Sequence, residues 1–129
     1  MLDALLAQGQ AAAEELMVDR CLIRRKTGET TDDDGNITPT YVTVYDGKCR
    51  LKQPAALARA DETGEAAQLI LRRELQLPMT AVGVQVDDEA KMTAVRYDPD
   101  LVNRSLLVRG LHHATHAVMR RLHVEERAS

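Results

Sequence analysis

Apolar residues at Leu2, Leu5, Leu6, Ala12, Ala13, Leu16 and Met17 recur at three- and four-residue spacings, leaving Gln8, Gln10, Glu14 and Glu15 off the stripe. This period predicts an amphipathic helix from Met1 to Val18. Gly9 falls on its apolar face, where the missing side chain permits close approach of another backbone at a cost of about 1 kcal/mol in helix propensity. Such a helix must pack on something, either its own domain or a neighbouring subunit.

Beyond Val18 the pattern changes to short runs of period two. Cys21–Lys26 and Tyr41–Tyr45 read as strands, and Asp46-Gly47 as a tight turn into Lys48–Leu51, because both central residues of the preferred hairpin turn need positive φ. Between the first two strands, residues 27–40 form a connection too long for an ordinary hairpin, with the acidic run Asp32-Asp33-Asp34-Gly35-Asn36 inside it. Gln53-Pro54 breaks the next strand, and residues 55–64 read as a loop. Leu69–Leu77 alternates until Pro78, Val82, Val84 and Val86 alternate up to Asp87-Asp88, and Met92–Tyr97 is closed by the turn Asp98-Pro99-Asp100. Asn103 suits a left-handed turn, Ser105–Arg109 is a strand ending at Gly110, and a last strand runs from about Met119 to Glu125. The expected fold is mainly β, a small barrel or sandwich with an N-terminal amphipathic α-helix and a long β-arm loop. It is one domain over residues 1–129: a helix at 1–18, a barrel at 19–125 with the loop at 27–40, and a frayed tail at 126–129.

Composition narrows what such a domain can do. With no Phe or Trp and only Tyr41, Tyr45 and Tyr97, the core is aliphatic, and stacking platforms for single-stranded nucleic acid are missing. A formal net charge of -3 argues against a dedicated DNA-affinity protein. Cys21 and Cys49 both lie in expected strands, as two buried reduced thiols or as a cross-strand disulfide. No apolar run reaches the length of a membrane span, and the acidic, Ala-rich start is unlike a secretion signal, so a soluble intracellular chain is expected.

Candidate chemistry is sparse. With Gly35 at the sixth place of a calcium loop, Asp32 and Asp34 fall correctly, but Thr30 and Tyr41 occupy the first and last ligand positions. His112 and His116 would share a face if their segment were helical, yet no third ligand is evident and no acid lies between them. Neither Ser105 nor Ser129 sits in a nucleophile turn, and no phosphate-cradling glycine loop or dinucleotide fingerprint occurs. No catalytic residue, cofactor or metal site is therefore expected, and the chain does not read as an enzyme. Two basic groups remain, Arg20, Arg24, Arg25 and Lys26, and Arg104, Arg109, Arg120 and Arg121. They serve either intramolecular ion pairs or contacts with another copy or partner. The candidate interaction residues are Asp32, Asp33, Asp34, Gly35 and Asn36 with Arg24, Arg25, Arg120 and Arg121.

Five short motifs in order carry a family resemblance: Ala11-Ala12-Ala13-Glu14-Glu15-Leu16-Met17-x-Asp19-x-Cys21-x-Ile23-Arg24-Arg25; Asp34-Gly35-x-Ile37-Thr38-Pro39; Val44-Tyr45-x-Gly47-x-Cys49-Arg50; Asp98-Pro99-x-Leu101-Val102-x-Arg104; and Thr115-His116-Ala117-x-x-Arg120-Arg121-Leu122-x-Val124-Glu125. Together they resemble head-to-tail connector proteins, the head-completion or stopper class, of tailed bacteriophages that infect actinobacteria. The resemblance spans Ala11 to Glu125, with Asn103 and the His-rich segment Leu111–His116 departing from it. It implies a virion protein assembled in the host cytoplasm, a ring usually of twelve copies that helps close the DNA channel. Portal and adaptor would lie above it, tail terminator and tail tube below, with packaged DNA passing through or abutting the ring and no membrane or small-molecule substrate involved. A tail terminator or adaptor of the same connector is the near alternative, and a small cation- or metal-binding regulatory module is the alternative of a different class.

Overall fold

The computed structural model describes residues 2–52 and 71–126. Among them a helix, α1 (Leu2–Glu15), precedes six antiparallel strands: β1 (Asp19–Thr31), β2 (Ile37–Lys52), β3 (Leu71–Leu77), β4 (Glu89–Ala94), β5 (Ser105–His112) and β6 (Arg120–Glu126). They close into a barrel in the order β1-β2-β3-β6-β5-β4. The fold is thus the expected small β-barrel with an appended helix. The expectations for residues 53–70, including the loop at 55–64 and the start of the strand at Leu69, lie outside the described residues.

Alternation fills the barrel. Cys21, Ile23, Cys49, Leu75, Leu77, Ala90, Met92, Leu106, Val108, Leu122 and Val124 point inward and are buried. In register, Leu51 opposes Leu75, Leu75 opposes Leu122, and Leu122 opposes Leu111, so one leucine row crosses four strands. Both thiols are free and buried. A hydrogen bond with Cys21, together with burial, pushes the Cys49 thiol well above its ordinary value, so it stays protonated as a small apolar group.

Several expected boundaries shift. The turn expected at Asp46-Gly47 is instead the middle of β2, where Cys21 opposes Gly47 and Leu22 opposes Asp46. Glycine serves there because a Cβ on Gly47 would lie 2.7 Å from the Tyr45 hydroxyl. The Tyr45 ring lies beside the glycine, and its hydroxyl donates a 2.7 Å hydrogen bond to the Lys48 carbonyl. The valine run 82–86 is not a strand: Gly83 has φ 88° and Asp87 φ 75°, so the chain turns away from any ladder. Val84 tucks inward while Val82 and Val86 face solvent, which produces the alternation without a sheet. β4 ends at Ala94, short of Tyr97, whereas β5 continues past Gly110 to His112, with a bulge between Val108 and Gly110. Glu126, expected to fray, pairs with Leu71 and Leu106, and its carboxylate meets Arg73 and Arg104. Asn103 takes the expected left-handed conformation, φ 68°, and Asp98 caps the 3-10 turn Pro99–Leu101.

Helix α1 stops at Glu15, and only part of its stripe is covered. Ala13 and, just past the helix, Met17 are buried, whereas Leu2, Leu5 and Leu16 are exposed. The close approach expected at Gly9 is made by a side chain: a Cβ there would sit 2.7 Å from Val118 Cγ1. Glu14 adds a 2.9 Å ion pair to Lys48 of β2.

Burial, with the two thiols beside it, raises the Tyr45 phenol from 10.0 to about 12. Because the folded value lies above the unfolded one, the stabilisation is complete below pH 10 and disappears as pH rises towards 12. Alkaline denaturation curves of the protein and of Tyr45→Phe should therefore diverge in that window, the phenylalanine variant losing less stability per pH unit. Parallel curves would contradict the assignment.

Candidate functional site

The longest strands make the most distinctive feature. β1 pairs with β4 only as far as Arg24, opposite Glu89, and β2 pairs with β3 only from Arg50 to Lys52. Beyond those points, Arg25–Thr31 pairs only with Ile37–Val42 among the described residues. At about 3.3 Å per residue, this two-stranded arm extends roughly 20 Å past the last barrel pairing. The expected loop at 27–40 is therefore ordered ladder for most of its length, with the turn confined to the residues between Thr31 and Ile37.

Asp32 builds that turn. Its Oδ1 accepts the backbone N–H groups of Asp34 (3.0 Å) and Asn36 (2.8 Å), and its Oδ2 accepts the Asn36 side-chain amide (3.2 Å). Gly35, at φ 82°, supplies the left-handed residue that lets the chain reverse. The Asn36 backbone N–H foremost, and then its side chain and the Asp34 N–H, hold the Asp32 carboxyl below the usual carboxylate range. Its contribution is present above the ordinary aspartate value and is lost as pH falls through the lowered one. Asp32→Ala should accelerate amide exchange at Asp34 and Asn36 while leaving barrel amides unchanged. Unaltered exchange at the tip would show that the side chain does not hold the turn.

Two arginines expected at an interaction surface fix the base of the arm. Arg24 donates to Glu89 at 2.9 Å, and its guanidinium lies 3.8 Å from the centroid of the Tyr41 ring. Arg25 grips Asp88 with two bonds, 2.8 and 2.9 Å, and donates a third to the Gly83 carbonyl at 2.8 Å. The Asp88 hydrogen bond is the main cause of a raised Arg25 value. Asp88 is 1% exposed and also accepts the Gln85 N–H, so the arm is riveted to the loop before β4.

The remaining basic residues divide. Arg20 pairs with Asp46, Arg104 with Glu126, and Arg109 with Asp87 and Glu125. Arg120 donates to the Met79 carbonyl at 3.1 Å. Arg121 is exposed and forms no ion pair with the described residues. The structure thus brings Asp32 to Asn36 together at the tip but leaves Arg24, Arg25, Arg120 and Arg121 in different surroundings.

One concavity was not foreseen as such. A cavity of about 320 Å³ opens at the β5–β6 connection, where His112, Thr115, His116 and Arg121 line it beside Val118 and Met119. His112 opposes Arg121 across the β5–β6 ladder, and His116 takes a left-handed conformation, φ 60°. The clustered histidines were the sequence signal for it. Their segment is not helical, so the i, i+4 geometry considered for His112 and His116 does not arise. Among the described residues no three His, Cys, Asp or Glu side chains are grouped to hold a metal ion.

A family model described as a family of unknown function, DUF6093, matches residues 9–125. The chain belongs to the DUF6093 family. The match runs from Gly9 of α1 to Glu125 of β6, so the helix, the arm and the barrel all lie within the family's span. No curated protein matches the chain. Among solved structures it is similar to protein SF1141 from Shigella flexneri 2a, determined in solution. That likeness has 16% identity and a TM-score of 0.56 and covers 87% of this chain and 94% of that one. At such identity it concerns the fold alone.

Proposed function

We propose that this chain is a structural subunit of a bacteriophage head-to-tail connector, a stopper or head-completion ring component without catalytic activity. The observation that carries the reading is the arm, a two-stranded ribbon with an acidic tip, anchored at its base by Arg24 and Arg25 to a closed barrel. Ordered sequence motifs resembling connector proteins, from Ala11 to Glu125, support it independently. In this reading copies assemble as a ring, of twelve by that resemblance, with portal and adaptor above and tail terminator or tail tube below. The exposed Leu2 and Leu5 of α1, with Leu16 just past it, give the ring a further apolar surface for neighbouring subunits.

Particles carrying a deletion of Thr31 to Asn36 should lose packaged DNA or fail to join tails. Full DNA retention with normal tail joining would reject a role for the tip, and a particle map showing the chain away from the head–tail junction would reject the reading altogether. Placement of the same chain at the tail end of the junction would instead favour a tail terminator.

A further inference from the structure

We infer that the cavity at the β5–β6 connection receives the acidic arm tip of a second copy of this chain. The inference names the contact between copies and rests on the ring reading above. Three observations converge on it.

First, the arm needs a surface. An isolated two-stranded ribbon is marginal in water, and this one leaves Ile37 63% and Val42 47% exposed, with both outer edges unpaired among the described residues. Second, the tip carries charge that nothing nearby neutralises. Asp32 spends its carboxylate on the turn, but Asp33 and Asp34 are exposed and form no ion pair with the described residues.

Third, the complementary charge stands at a concave site. Arg121, also without an ion pair among the described residues, lines the 320 Å³ cavity with His112 and His116. In register, Arg50 opposes Gln76 and Gln76 opposes Arg121, so a second guanidinium without an ion pair among the described residues stands in the same cross-strand row. Arg20, Arg24, Arg25, Arg73, Arg104, Arg109 and Arg120 are held by carboxylates or carbonyls of their own chain; of the cations that form no ion pair with the described residues, Arg121 lines this cavity. A planar guanidinium with a free fork suits carboxylates such as those of Asp33 and Asp34.

Tip and cavity are different patches of one chain, so the contact is heterologous. Each copy offers one donor and one receiver, and repetition in one direction gives a closed ring or an open filament, whereas a reciprocal exchange of tips would stop at a two-fold dimer.

The test uses sedimentation velocity on the full chain with Asp33→Lys/Asp34→Lys, with Arg121→Glu, and with all three changes in one chain, each checked for an unchanged melting curve. The unaltered chain should self-associate at low salt and dissociate as salt rises. Either charge reversal alone should weaken association about tenfold or more, since close interfacial charge pairs couple strongly. An equimolar mixture of the two reversed variants should regain higher assembly with the two kinds of chain alternating, because each tip then meets a cavity of opposite sign on the other variant, and the triple variant should regain it alone. Association insensitive to both reversals, failure of the triple variant to recover, or a monomer even at millimolar concentration would overturn the inference. These outcomes are read in solution, apart from the particle location that tests the ring reading itself.

Discussion

Replacing Asp88 by alanine should lower stability by about 3 kcal/mol, the cost expected for breaking a buried ion pair from one side. Asp88 is 1% exposed, and its two oxygens accept three N–H groups, two from Arg25 and one from the Gln85 backbone. The value falls at the lower end of what such losses cost because the Arg25 side chain is 34% exposed and can turn to water. Damage should concentrate where the carboxylate acts, in the turn at Gly83–Asp88 and at the base of the arm. The barrel ladder across β3, β5 and β6 is built without it. Asp88→Asn, which keeps an acceptor but loses the charge, should fall between alanine and the native residue. Urea denaturation measures both variants, and a loss below about 1 kcal/mol for Asp88→Ala would mean that Arg25 finds an equivalent partner.

A loss of similar size, about 3 kcal/mol, is expected for Leu75→Ala, from a different cause. Leu75 is fully buried at the centre of the leucine row that runs from Leu51 to Leu111. Its neighbours in the core include Ile23, Val108 and Val124, whose branched side chains have few alternative rotamers with which to fill a void. The core holds no phenylalanine or tryptophan to swing into the space. Val42→Ala on the arm removes a nearly half-exposed side chain and should cost far less. If both substitutions gave equal losses, the barrel interior would be more adaptable than its packing indicates.

The class of fold was legible because period two needs only local sequence. Alternating Leu75 and Leu77, Leu106 and Val108, and Leu122 and Val124 mark inward positions without knowledge of any partner. Turn chemistry misled at Asp46-Gly47, where glycine answers the bulk of Tyr45 and not the need for positive φ. The actual reversal depends on Asp32 bonding to residues two and four places ahead, a device that sequence offers at any Asp-rich stretch. Alternation also misled at Val82–Val86, since a strand requires a ladder partner and none pairs there among the described residues.

At the candidate site, composition alone placed the acidic tip. It could not tell a docking arginine from an anchoring one, because the carboxylates that hold Arg24 and Arg25 lie more than sixty residues away along the chain. Arg121 and the histidines were visible as a basic, polar segment. That they surround one cavity follows from the pairing of β5 with β6, which puts His112 opposite Arg121.

The strand order also sets a timetable for synthesis. β6 is inserted between β3 and β5, so neither of those strands has its second neighbour until residues near Glu126 have left the ribosome. The long β1–β2 hairpin, by contrast, involves only residues up to Lys52 and can zip from its own turn while the rest is still being made. The part that reaches outward is therefore finished before the body that carries it. A nascent chain stalled just before Arg120 should present a formed arm on an unclosed sheet, the stage at which its exposed edges are most open to aggregation.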